Sequence, residues 1–302
     1  MLSDTDRDLK TQLLAQAARL LLQYNESSAV IDAAMARTSQ ALGLKSCRVV
    51  VGYRSVSVSL DGHCPVVETV QELRLNAAVQ MRVHRILDQV QLAQVDAQSA
   101  LSALHRVEAD TPRHPQWLVA VLLGAAAASF ARLLGADEVA VLVVGFAAAF
   151  GLLLRHALAL WHVSLLVLPL AASLLGAVFG GWTIRLGWTQ TPDLILIVPA
   201  LMVVPGPHLI NGVFDLIDNY LPMSLSRLGL ALGILLAAGL GIVIGMELTV
   251  SLARLPETAS GGDINLLADM VWAGIAACGF AAFYNTPWPQ IGLAMVGGMA
   301  GH

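Results

Sequence analysis

The hydrophobic pattern changes character near residue 115. Upstream of it, apolar positions recur at the periods of helices and short strands. Residues 4–24 carry Leu9, Leu13 and Leu20 on one side of a helix. Asn25 or Ser27 can cap a second helix that runs to about Leu42, and Gly43 would end it. CRVVVGY, SVSVSL and PVVETVQ read as three strands, the second and third joined through the turn pair Asp61-Gly62. Residues 76–95 and 96–107 then read as two helices. The pattern predicts a small α+β domain over residues 1–115.

Downstream, long apolar runs replace this alternation. Hydropathy predicts spans at 118–134, 139–154, 160–182, 194–217, 228–252 and 266–284, with a shorter seventh segment from Ile291 to His302. The chain has 302 residues, of which 57% are hydrophobic and 13% charged, and its mean hydropathy is +0.70. Soluble domains carry roughly 25% charged residues. Residues 1–115 hold 12 of the 17 Lys and Arg and 12 of the 21 Asp and Glu. The expected fold is therefore an α-helical polytopic membrane protein with a small α+β cytosolic N-terminal domain. Its membrane part divides into a five-span half at 116–254 and the start of a second, apparently truncated half at 255–302.

The opening SDTDRDLKTQ has no apolar core of a signal peptide, so the first domain is expected in the cytosol. That orientation puts Arg113, Arg155 and Arg227 on cytosolic connections and most acidic residues outside. The location this implies is the cell (inner) membrane. Cys47, Cys64 and Cys278 lie far apart and read as unpaired thiols in a reducing compartment. A net charge of −4 without a basic cluster gives no sign of nucleic acid as a partner. Glycine pairs such as Gly176 and Gly180 or Gly241 and Gly245 have the spacing of packed spans.

Candidate chemistry concentrates in the fourth span, LILIVPALMVVPGPHLINGVFDLIDN. Pro199, Pro205 and Pro207 interrupt it, and a helix should break near Pro205-Gly206-Pro207. Irregular backbone at membrane depth is tolerated only against protein or a wet cavity. Pro207 suits the first turn of a new half-helix, whose free N–H groups can receive a carboxylate. His208, Asn211 and Asp215 follow at one-turn spacings on one face. The alternative is a kinked helix whose Asn211 and Asp215 reach interfacial water. Elsewhere Arg132 and Arg155 can snorkel from helix ends. His63 and Cys64 lack a second ligand pair, so no metal or other cofactor is expected. No nucleophile–base set such as G-x-S-x-G or H-E-x-x-H is present, and no catalytic residue is expected.

HPQWLVAVLLGAAAASFARLLGAD, VPGPHLINGVFDL and SRLGLAL together resemble the threonine/serine exporter family, most specifically in P-G-x-x-x-I-N-x-x-x-D. LLLQYNESSAVIDAAMARTSQALGL resembles the family's opening helices, where a Gly and a Glu are commoner than Asn25 and Asp32. WAGIAACGFAAFYNTPWPQIGLAMVGGMAG resembles the start of its second membrane half. The resemblance implies export of small hydroxy amino acids by proton antiport. Related two-subunit members export dicarboxylates such as succinate. The expected substrate path comprises Pro205, Gly206, Pro207, His208, Asn211 and Asp215, with Asp215 and His208 as candidate proton carriers. Expected partners are a small-molecule substrate, protons, the lipid bilayer, and a second copy or a second membrane subunit. A non-transporting anchor with a partner-binding cytosolic domain is the competing reading.

Overall fold

The computed structural model describes residues 4–44, 46–60, 64–161, 163–250 and 265–301. The expected Asp61-Gly62 turn and His63 lie outside them. The chain forms two compact units, one of Met1–Arg113 with Gly206–Leu230, the other of His114–Pro205 with Ala231–His302. The helices and strands are α1 (Asp4–Gln23), α2 (Ser28–Ala41), β1 (Cys47–Val51), β2 (Ser55–Leu60), β3 (Val66–Thr69), α3 (Ala77–Gln91), α4 (Ala97–Asp110), α5 (Gln116–Leu133), α6 (Glu138–Leu160), α7 (Val167–Arg185), α8 (Pro192–Leu201), α9 (Gly206–Ile217), α10 (Leu221–Thr249), α11 (Leu266–Phe283) and α12 (Trp288–Gly301).

The first unit is built around α1. Its sequence suggests one apolar face, yet Leu13, Leu14, Ala17, Leu20, Leu21 and Leu22 are all fully buried. Neighbours on several sides account for this, because α2, α3, α4, β2 and β3 all pack on α1. The sheet is an antiparallel meander in the order β1-β2-β3. Val56, Val58 and Leu60 of β2 alternate into the core, while Val50 and Val67 stand exposed on its other face. Asn76 and Asp96 cap α3 and α4 through their side-chain oxygens. Glu108 of α4 accepts hydrogen bonds from Tyr24 Oη at 2.7 Å and Gln23 Nε2 at 2.8 Å, tying α4 to the end of α1. Burial and the neighbouring Glu108 carboxylate push the Tyr24 phenol up to about 12. Met223 of α10 completes this core.

The second unit is a bundle of apolar helices. Among the described residues, five helices are long and apolar enough to cross a membrane, or six if the broken pair α8 and α9 counts as one span. Small residues line the packed faces: a Cβ on Gly241 would collide with the Leu170 carbonyl oxygen, so only glycine lets α10 approach α7 there. The third span begins at Val167 rather than near residue 160, because α6 continues to Leu160 and Pro169 stands in the first turn of α7. The fifth begins at Leu221, seven residues before the hydropathy edge at 228, with Pro222 in its first turn. His114 joins α5 to the α11–α12 turn: its N–H donates to Asn285 Oδ1 at 2.9 Å and its ring packs at a tilt of 52° against Trp288, with centroids 4.5 Å apart.

Asp137 caps α6 by accepting from the Ala140 N–H at 2.9 Å. Its other oxygen accepts from Thr189 Oγ1, Thr191 Oγ1 and the Gln190 and Thr191 N–H groups, which fixes the turn entering α8. Partial burial works against the charge, but the hydrogen bonds from Thr189, Ala140, Gln190 and Thr191 outweigh it and hold the carboxyl down at about 2. A depressed carboxyl stabilises the fold above its unfolded pKa of about 3.9 and loses that contribution as pH falls towards 2. Asp137→Ala should therefore lower the melting temperature in detergent at pH 7 by the equivalent of about 1–2 kcal/mol. The gap to wild type should narrow between pH 4 and pH 2, and a gap that stays constant would show that charge has no part in it.

Candidate functional site

The carboxyl end of α1 sets one wall of the site. Asn25 has φ +65°, a left-handed conformation that Gly and Asn adopt at least cost. It turns the chain so that α2 starts at Ser28, with Ser27 as N-cap but making no capping bond of its own. The first N–H groups of α2 therefore need another acceptor.

Asp215 of α9 supplies it. The Ser28 N–H donates to Asp215 Oδ1 at 2.8 Å, across 187 residues of sequence. Asp215 is fully buried, as is Arg227 of α10, and Arg227 Nε lies 3.3 Å from Asp215 Oδ2. This contact is an ion pair without hydrogen-bond alignment. Arg227 Nη2 donates to the Glu26 carbonyl, and Asn211 Nδ2 donates to the Asn25 carbonyl. Glu26 Oε2 in turn meets His84 Nε2 of α3 at 3.0 Å. Asp215, Arg227 and Asn211 thus hold the α1–α2 turn by three separate bonds.

The local sequence explains how α9 and α10 meet. Asn219, at φ +65°, ends α9, and the Tyr220 N–H donates to the Asp215 carbonyl at 2.7 Å. Ser224 Oγ then donates to the Gly212 carbonyl at 2.7 Å. A Cβ on Gly212 would lie 2.9 Å from the Leu228 side chain and 3.4 Å from Arg227 Cβ, so its absence lets the two helices close. Periodicity gives α9 two faces: His208, Gly212 and Asp215 are buried, whereas Ile210, Val213, Phe214 and Ile217 are exposed.

The expected site residues divide accordingly. Gly206 and Pro207 open α9, so the helix restarts where the prolines and glycine indicate. Pro205 ends the preceding segment, which belongs to the other unit. His208 is buried two turns before Asp215 on the same face, and its Nδ1 has no hydrogen-bond partner among the described residues. Asn211 and Asp215 come together, with their polar atoms engaged by the α1–α2 turn. Sequence reasoning placed Arg227 on a connection; it lies instead in the second turn of α10, because that helix starts seven residues earlier than hydropathy suggests. An arginine six residues beyond the new helix start, beside the motif aspartate, was the available signal. The other candidate ligand pair does not form a described site: His63 lies outside the described residues, and Cys64 is exposed.

Removing one partner of a buried ion pair leaves an uncompensated charge and costs about 3–5 kcal/mol, more than losing both. Arg227→Gln alone should lower stability by that order, measured by thermal unfolding in detergent. Adding Asp215→Asn, which keeps an acceptor for the Ser28 N–H, should recover part of the loss. Strictly additive losses would show that the pair is not coupled.

The family model ThrE, described as "Putative threonine/serine exporter", matches residues 12–249. The "Probable succinate transporter subunit YjjP" of Escherichia coli (strain K12) is 24% identical over 242 residues, covering 79% of this chain and 94% of that protein. Its namesake from Klebsiella aerogenes is 25% identical over 246 residues, covering 79% and 93%. No solved structure matches the chain. The α9 motif, Arg227 and the α1–α2 turn all fall within the matched residues, and the chain belongs to the threonine/serine exporter (ThrE) family.

Proposed function

We propose that this protein is a carrier rather than an enzyme. It sits in the inner membrane with a cytosolic amino terminus and exports threonine and serine in exchange for protons. The observation that carries the reading is the buried Asp215–Arg227 pair on the family's motif, at the restart of a broken helix. A buried ion pair is a weak source of stability, because desolvation offsets most of the attraction. Its retention beside a helix break fits a switch.

In this mechanism Asp215 carries the exchanged proton. Protonation removes the charge that Arg227 faces and weakens the acceptor that holds the Ser28 N–H. The α1–α2 turn is then released from Asn211 and Arg227. While Asp215 is charged, Asn211 Oδ1 accepts from the hydroxyl or amino group of a substrate and the free N–H groups of Gly206 and His208 favour its carboxylate, so that proton and substrate occupy alternate states. Deprotonation restores the pair and closes the turn again. His208, buried on the same face, is the second candidate for the proton.

A second reading is favoured by the relatives' printed names, which describe succinate transporter subunits. In it the chain exports a dicarboxylate together with a separate membrane subunit. Proteoliposomes loaded with threonine, serine or succinate and given a pH gradient separate the two. The first reading expects threonine and serine efflux that the gradient accelerates, and loss of that acceleration in Asp215→Asn. Normal proton-coupled flux in the variant would remove Asp215 from the mechanism. Succinate efflux that requires an added second subunit would replace the first reading by the second.

A further inference from the structure

We infer that Arg155 is the anchor for the substrate's carboxylate, inside a cavity of the second unit formed by α5, α6, α7 and the end of α8. The inference deepens the export reading above and rests on it for the substrate class; the residue and its cavity come from separate observations.

Arg155 lies five residues before the end of α6, where an arginine ordinarily snorkels out to the interface. Here the side chain is only partly exposed, and its Nε is closed off from solvent and has no hydrogen-bond partner among the described residues. Side chains on a helix lean towards its amino end, and the guanidinium accordingly faces the cavity over Ala147, Ala148, Gly151 and Leu152 of its own helix. The far wall is Pro199, Met202 and Val203, at the end of α8 where the broken span stops. The cavity is partly open, and its enclosed volume of about 10 Å³ is roughly that needed by one water molecule. A carboxylate head therefore reaches the guanidinium from the open side, with the rest of the molecule outward.

Among the described residues no acidic side chain lines this cavity. The one nearby feature that favours a cation is the carboxyl end of α8, whose dipole amounts to about half a unit charge. That falls short of a full guanidinium charge in apolar surroundings, which ordinarily requires a counter-ion. A planar guanidinium matches a carboxylate in two parallel hydrogen bonds, and lysine cannot copy that geometry. The chemical class of ligand is therefore a small carboxylate. Threonine, serine and succinate all present one, and only the opening would discriminate their other ends.

The test uses the full chain in proteoliposomes, with Cys47, Cys64 and Cys278 replaced by serine and Val203→Cys as a reporter in the cavity wall. An anionic sulfonate thiol reagent should modify the reporter about tenfold faster than its cationic trimethylammonium counterpart, the local enrichment that one unscreened charge produces. Arg155→Gln should abolish that preference, and Arg155→Lys should keep most of it. Acetate, threonine or succinate should slow the anionic reagent, while threoninamide should not. No modification, or equal rates for both reagents, would overturn the assignment. So would a preference that follows the anionic lipid content of the vesicles and ignores added carboxylates, which would identify a lipid headgroup as occupant. Wild-type vesicles that move none of the three solutes, while acetate still protects the reporter, would sink the export reading and keep the Arg155 site. Unchanged export and unchanged carboxylate protection in Arg155→Gln would sink the site and keep the reading.

Discussion

The Asp215–Arg227 pair constrains the first unit more than any other contact. Two charges taken fully out of water lose several kcal/mol of hydration each, and their attraction compensates only when the remaining polar atoms find partners. Here those partners come from the backbone of the α1–α2 turn: the Ser28 N–H for the carboxylate and the Glu26 carbonyl for the guanidinium. The turn must hold one conformation for this, which the left-handed Asn25 provides. The helices must also approach closely enough for Arg227 to reach across, which Gly212 allows and the Ser224 bond to its carbonyl secures. One electrostatic requirement therefore fixes a turn, a helix start and a helix–helix contact.

That requirement also governs how the chain is divided. Hydropathy treats residues 194–217 as one span, but the break between Leu201 and Gly206 is where one compact unit ends and the other resumes. α8 is apolar and packs with α5, α6 and α7. α9 is amphipathic, and its polar face is committed to the α1–α2 turn. α10 begins in the same unit as α9 and continues as an unbroken helix into the other. Asp215 thus pairs with an arginine in the second turn of a 29-residue helix.

Much of this was legible in the sequence, and the remainder was hidden for definite reasons. The three strands, the helices of the first domain and the helix restart at Gly206-Pro207 follow from alternation, turn residues and proline chemistry, which are local signals. The partners of Asp215 were not legible, because Ser28 stands 187 residues away and no periodicity relates them. The sequence marks neither Arg227 nor Arg155 as unusual. Arg227 lay outside the apolar window, since hydropathy averages miss a helix that opens with Leu-Pro-Met-Ser. Arg155 lay close enough to a helix end for snorkelling to be the default. Only the closed surroundings of its Nε distinguish it. The all-round burial of α1 was missed for a similar reason: periodicity reports one neighbour, and α1 has five.

The two arginines differ in their electrostatic balance, and that difference assigns them different roles. Arg227 is neutralised within the fold, so a ligand carboxylate gains little from it unless Asp215 first gives up its charge. Among the described residues no acidic side chain pairs with Arg155, so on the proposal above an arriving carboxylate would supply its counter-charge. An apolar interior admits a small anion only as part of a neutral set, because an isolated charge there is too costly. A carboxylate on Arg155 would satisfy that condition by adding an anion to a cation, whereas a proton on Asp215 leaves Arg227 without its counter-charge. The two events therefore change the net charge of the interior in opposite directions.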